Sequence, residues 1–347
     1  MKRLTLIFFG LLTAYSLSAQ SADLQPAATV NLIRTEPITV RQLRTEVERM
    51  EKSANRALTQ TERLQVLDVI INERLVLQAA ERDRISISDN EVTQQMQQFR
   101  SSMAQQLGRQ PTDAEFAQAV MNESGLDVSS FRDQLRRQMI VQKYLMAKKG
   151  ATIESVKPPT EQEIINEYNL LKSNLVRPDT IRFSMIQVPY GSDAAARTRA
   201  RTLADSLSKE INSDPSKFDE VAARSVAPNS GYQAGDAGFL PRNQEARQVV
   251  GQTFMDVAFN LKQGQVSRLI EGQQGFQIIK VTENYASRSL ELNDIFQLGT
   301  RVTVREYIGQ MIGNKKQQEV ITQASQEIVT ELRTGKTFQI FENNVKW

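Results

Sequence analysis

Along the first half of the chain, apolar side chains recur at three- and four-residue intervals, and most of these runs follow a hydroxyl residue with Glu or Gln three positions on. In this capping-box pattern the hydroxyl accepts from the N–H three residues ahead, while the Glu or Gln side chain reaches back to the cap. Thr39 with Gln42, Thr59 with Glu62, Ser88 with Glu91 and Thr112 with Glu115 therefore predict four helix starts. Thr61 is the poorer start for the second helix, because the apolar Leu64 stands three residues on. Leu64, Leu67, Ile70, Ile71 and Leu75 make that helix apolar on more than one side, which predicts burial. Ser129 or Ser130 is expected to cap a fifth helix carrying Phe131, Leu135, Met139 and Tyr144 and ending near Gly150. Ahead of all five, residues 29–34 alternate apolar and polar as a short strand.

The paired prolines Pro158 and Pro159 disfavour helix in the residues before them, so a boundary falls there. Thr160 with Glu163 caps a connecting helix within a linker, 158–177. From residue 178 the pattern changes to a strand over 181–188, helices over 194–211 and 218–224, a Gly-rich loop over 228–241, a helix over 253–261, and strands over 267–271 and 276–282. That order predicts a compact α+β unit over 178–284. In the remaining segment, 298–347, helical spacing runs from Val304 to Leu332, Gly335 stops it, and 337–341 alternates as a strand. A short strand is unstable alone, and the unpaired partner is 29–34. The expectation is an α+β chain in which 29–157 and 298–347 form one discontinuous helical module with the α+β unit inserted.

Residues 1–19 have the charged, apolar and small-residue order of a signal peptide, with cleavage expected after Ala19, or nearby after Ser18 or Ala22, so the mature chain is expected in the periplasm with no stable membrane span. Loss of Lys2 and Arg3 with that segment lowers the formal charge from +3 to +1, which removes any electrostatic footprint for nucleic acid. The chain has no cysteine and no histidine. Disulfides, Cys- or His-based nucleophilic sites and His-based zinc sites are thereby excluded. Phosphate-cradling and EF-hand spacings are lacking as well, so neither nucleotide nor other cofactor is expected. Met96, Met103, Met121, Met139 and Met146 either fill the helical core or line an adaptable groove for apolar clients; helical spacing does not separate the two.

Five motifs taken in order resemble the parvulin family of peptidyl-prolyl isomerases. They are Met185-Ile186-Gln187-Val188, Phe218-x-x-Val221-Ala222, Gly235-Asp236-Ala237-Gly238-Phe239, Phe254-x-x-x-Ala258-Phe259-x-Leu261-x-x-Gly264-x-Val266-Ser267, and Gly275-Phe276-Gln277-Ile278-Ile279-Lys280-Val281. Each is weak alone and the series is strong. The resemblance implies a catalytic cluster of two histidines and an Asp or Cys, but those positions hold Met185, Gln277 and, in the irregular loop, Pro228. It also implies an apolar substrate wall of Phe254, Phe259 and Val250, with Leu240 or Phe239 nearby. Outside this unit, the order of capped helices, parvulin unit and C-terminal helix with strand resembles SurA-type chaperones, which carry two parvulin domains where this chain has room for one. The resemblance implies an ATP-independent holdase for unfolded exported or outer-membrane polypeptides. Its alternative is an active prolyl isomerase assisting the folding of exported proteins.

Overall fold

The computed structural model describes residues 23–347, so the expected signal segment 1–19 lies outside the described residues. The chain divides into two units, one joining the residues up to Lys157 to Lys316–Trp347, the other Pro158–Lys315. The boundary falls within the C-terminal helix Val304–Leu332.

In the discontinuous unit, β1 (Pro26–Asn31) is the central strand of a three-stranded antiparallel sheet. On one side it pairs with β2 (Thr35–Thr39); on the other it pairs with the C-terminal strand Phe338–Ile340, in the register Ala28 to Ile340, Thr29 to Gln339 and Val30 to Phe338. The bonds extend past the strand ends, with Asn31 N–H donating to the Thr337 carbonyl at 2.7 Å and Phe341 N–H to the Ala27 carbonyl at 2.9 Å. The strand expected over 29–34 thus ends early, and a second strand follows it. Pro37 hid β2 in the sequence; it is tolerated because β2 is the sheet edge, where a missing donor faces no neighbouring strand.

Ala27, Ala28 and Val30 lie fully buried against α1 (Val40–Ala54) and α2 (Gln60–Arg82), through Leu43, Leu67, Ile71 and Leu75. The turn after β1 is pinned by Gln78 of α2, which is only 1% exposed. Its Oε1 accepts from the Leu32 and Ile33 N–H groups at 3.1 Å each, and its Nε2 donates to Glu36 at 3.2 Å. Ala324, Ile328 and Leu332 of the C-terminal helix are buried, and Ile328 and Leu332 join this core.

The four capping boxes predicted in this unit all form, at α1, α2, α3 (Asp89–Leu107) and α4 (Asp113–Ser124). The fifth helix, α5 (Val128–Glu154), is capped by Asp127 instead, whose carboxylate accepts from Ser130 N–H at 2.7 Å. Asp is as good a cap as Ser and adds a negative charge at the helix N-terminus. Gly150 does not stop α5, since an isolated glycine costs a helix only about 1 kcal/mol. A second small core, Val92, Met96, Phe116 and Val120 with Phe99 and Phe131 against it, joins α3, α4 and the start of α5.

In the other unit, α6 (Glu161–Leu171) precedes the short strand β3 (Val176–Arg177), which pairs with β8 (Arg288–Ser289). Tyr168, Leu175, Leu290, Val304 and Ile308 pack there in a core of their own, and the Tyr168 hydroxyl donates to the Leu290 carbonyl at 3.1 Å. The main sheet holds β4 (Thr180–Pro189), β5 (Gln233–Pro241), β6 (Ile270–Glu271) and β7 (Gly275–Tyr285) in the antiparallel order β5-β4-β7-β6. Helices α7 (Ala194–Ser213) and α8 (Phe218–Arg224) cover one face, over Ile186, Val188, Phe276 and Ile278. Helices α9 (Gln244–Val250) and α10 (Gln252–Asn260) cover the other, over Ile181, Phe183, Ile279 and Val281. Most of the Gly-rich loop expected over 228–241 is therefore the edge strand β5. Its glycines carry no strand preference, and pairing with β4, with a register shift beside Phe183, decides its conformation.

Deleting residues 337–347 removes the partner of one β1 edge and the buried Val345. Hydrogen exchange is expected to lose protection over Pro26–Asn31 and α2 while β4 and β7 keep theirs, because the lost contacts all lie in the discontinuous unit. Unchanged protection at Ala28 and Val30 would contradict this.

Candidate functional site

Side chains alternate across a sheet, so pairing register decides which motif residues meet. Met185 of β4 is opposite Ile279 of β7, and Gln187 is opposite Gln277. Met185 and Gln277 are therefore diagonal neighbours on one face, the face covered by α9 and α10. Met185 is half-buried in that cluster, and its partner on the other side, Gly235, would have open space at a Cβ. The Gln277 side chain lies against Gly272, where a Cβ would come within 2.7 Å of its Oε1. A thioether and an amide thus stand at the sheet positions where the parvulin resemblance implies imidazoles.

Leu240, Val250, Phe254 and Phe259 join Met185 in the same cluster. Phe239 does not. It falls one residue out of phase, pairs with Arg182, and packs against Tyr285 at 6.0 Å with the Arg182 guanidinium 5.4 Å from its ring centre. Of the two residues expected nearby, period-two alternation selects Leu240. Phe254 is 3% exposed, with its ring edge-on to Phe183 at 5.6 Å, so it is a packed side chain. Phe259 is half-buried under the Arg242 guanidinium and is the more accessible of the two aromatics. Pro228 lies exposed in the turn after α8, outside the cluster.

The discontinuous unit carries a concavity, a groove of about 1080 Å³ between α1, α2 and α5. Its floor includes Leu58, Val66, Val69, Ile70, Val141 and Leu145; Val69 is 68% exposed on a helix whose Leu67, Ile71 and Leu75 are buried. Of the methionines, Met96, Met103 and Met139 belong to the second helical core, and Met121 and Met146 are exposed outside the groove. Met50 of α1 is the one that lines it. The lining charges are paired at 2.5–3.2 Å: Arg49 with Glu46, Arg56 with Glu62, Arg137 with Glu73, and Arg74 with Glu36 below the β-hairpin. Arg56 donates to both Glu62 oxygens while Thr59 donates from its N–H and hydroxyl, and together they hold the Glu62 carboxyl down to about 2.

The domain family described as PPIC-type PPIase matches residues 183–283, and the family described as SurA-like N-terminal domain matches residues 3–145. This chain is of the SurA type, with a single parvulin domain. Similar proteins include the chaperone SurA of Pseudoalteromonas translucida, 24% identical over 77% of this SurA-type chain and 59% of that protein. The chaperone SurA of Alcanivorax borkumensis is 28% identical over 64% and 47%, respectively. The SurA-type chain thus spans about half the length of these curated relatives. A solved structure of a SurA-like chaperone from Campylobacter jejuni aligns over 91% of this chain and 98% of its own, at 14% identity and a TM-score of 0.35. No helix among the described residues is long and apolar enough to cross a membrane.

The motif series led to the parvulin face, but the groove of this SurA-type chain had no such motif. Two outcomes follow. Phe254→Ala is expected to lower the unfolding free energy of the parvulin unit by about 3–5 kcal/mol, the usual cost of emptying a buried aromatic site, as read by urea denaturation. Glu62 titrates ordinarily at 4.5 and in the folded chain at about 2. Its stabilising contribution is therefore complete above about pH 4.5 and is lost as pH falls through about 2. In a carboxyl NMR titration, Arg56→Ala is expected to move that midpoint back toward its ordinary value.

Proposed function

We propose that this SurA-type chain is an ATP-independent holdase of the periplasm, binding unfolded exported or outer-membrane polypeptides in the groove of its discontinuous unit. The observation that carries this is the groove itself: about 1080 Å³, open, apolar at its floor and with its charges neutralised in pairs. Small-molecule sites run to roughly 1,000 Å³ with most of the ligand enclosed, whereas an open groove of this size suits a segment of chain. Holding apolar segments lowers the concentration of free unfolded chain and so slows its aggregation, with no step that requires nucleotide.

The parvulin unit adds a second surface at Met185, Val250 and Phe259, which suits a proline or aromatic side chain. Prolyl isomerisation transfers no proton to the substrate; its barrier of roughly 18–20 kcal/mol is the loss of amide resonance. An apolar pocket that favours the twisted amide supplies part of that, since each tenfold in rate needs only about 1.4 kcal/mol. The second reading, a working isomerase, draws on the retained apolar wall of this face. The first is favoured because the chain has no histidine to place there.

Near-equimolar chain is expected to suppress light scattering by a urea-unfolded β-barrel protein without nucleotide, while isomerising a proline tetrapeptide little faster than the uncatalysed rate. Met185→His with Gln277→His is expected to raise isomerisation more than peptide affinity, because such groups act on the twisted amide and not on the planar one. Isomerisation at ordinary parvulin rates with no suppression of aggregation would replace the first reading by the second.

A further inference from the structure

The groove's polar lining divides into two kinds. Its charged side chains are paired as described, Thr45 donates to the Arg41 carbonyl, and Gln42 is occupied by the α1 cap. Gln65, Gln134, Gln138 and Gln142 line the same groove, and their amides have no hydrogen-bond partner among the described residues. Four free primary amides in one concavity whose charges are all satisfied leave hydrogen bonding, and not ion pairing, as its unused polar capacity.

The spacing of three of them is specific. Gln134, Gln138 and Gln142 stand four residues apart on α5, so they form one row with about 6 Å between members. An extended polypeptide presents peptide groups along each edge every two residues, about 6.4–6.8 Å apart. Flexible Gln side chains absorb the difference over so short a row. Each amide offers both a donor and an acceptor, as a peptide group requires of a partner. A charged side chain entering the groove would lose water without meeting a free counter-charge.

We propose that the groove recognises extended, uncharged stretches of unfolded polypeptide through their main chain. Gln134, Gln138 and Gln142 pair peptide groups along one edge while the client's alternate apolar side chains rest on Val69, Ile70 and Val141. This deepens the holdase reading and rests on the groove being the client site. It explains how one surface serves many sequences, since the main chain is common to all of them.

The test uses the full chain and a fluorescent peptide alternating Val with Ser, plain or N-methylated at alternate peptide groups on one edge or the other. The plain peptide is expected to bind the wild-type chain about tenfold more tightly than a peptide methylated on the edge facing α5, the return of a few net hydrogen bonds. The triple variant Gln134→Met, Gln138→Met and Gln142→Met, which keeps side-chain length, is expected to lose that preference. Equal affinity for plain and both methylated peptides in the wild type, or an undiminished preference in the triple variant, overturns the proposal. Val69→Asp separates this from the holdase reading. If it abolishes binding while methylation has no effect, the groove holds clients by side chains alone and only the main-chain proposal fails. If Val69→Asp leaves binding unchanged, the groove is not the client site and both fail. Self-association that disappears in the triple variant, without peptide binding, would assign the groove to a second copy of the chain and also overturn the proposal.

Discussion

The discontinuous unit depends on a sheet closed by the two ends of the described chain. β1 has alternate backbone groups on both edges, and its side chains Ala27, Ala28 and Val30 are fully buried, so neither edge can turn to water without exposing the core. β2 satisfies one edge from nearby in sequence, and Phe338–Ile340 satisfies the other from about 310 residues away. Because the closing strand follows the C-terminal helix directly, the pairing also seats Ile328 and Leu332 against α2. Gln78 fastens the same hairpin from below, spending one buried side chain on two backbone donors that would otherwise lack partners.

That closure has a consequence for the groove. α1 and α2 pack on the sheet through Leu43, Leu67, Ile71 and Leu75, which leaves the other side of α2, with Val66, Val69 and Ile70, toward α5. A helix apolar on more than one side is then satisfied on one side by the core and on the other by a partly open concavity. Among the paired charges around it, Arg56 and Thr59 hold Glu62 down to about 2, so that pair stays ionised below the range where a free carboxylate takes up a proton.

The parvulin unit shows a different division between what is local and what is not. Its sheet face depends on register: Met185 and Gln277 lie diagonally on one face because Gln187 is opposite Gln277, and Phe239 is excluded because it is one residue out of phase with Leu240. The Gly-rich motif residues were legible as a family mark, yet not as a strand, since glycine has no side chain with which to express a preference. Phe254 and Phe259 were equally legible as apolar positions on one helix. Only tertiary packing separates them: Phe254 is buried with its ring edge-on to Phe183, whereas Phe259 is half-buried.

Local hydrogen-bond chemistry was determined by the sequence itself. Capping boxes close within four residues, so Thr39, Thr59, Ser88, Thr112 and Thr160 mark their helix starts without reference to the rest of the chain. The lack of histidine and cysteine likewise bounded the chemistry before any fold was known. Elements whose stability is not local were decided by tertiary structure. β2 carries a proline that only an edge position accommodates, and β5 is a strand only by pairing with β4. The groove was the least legible feature. Its glutamines lie on an ordinary polar helix face, and only the packing of α1 and α2 opposite that face turns a solvated row of amides into the wall of a site.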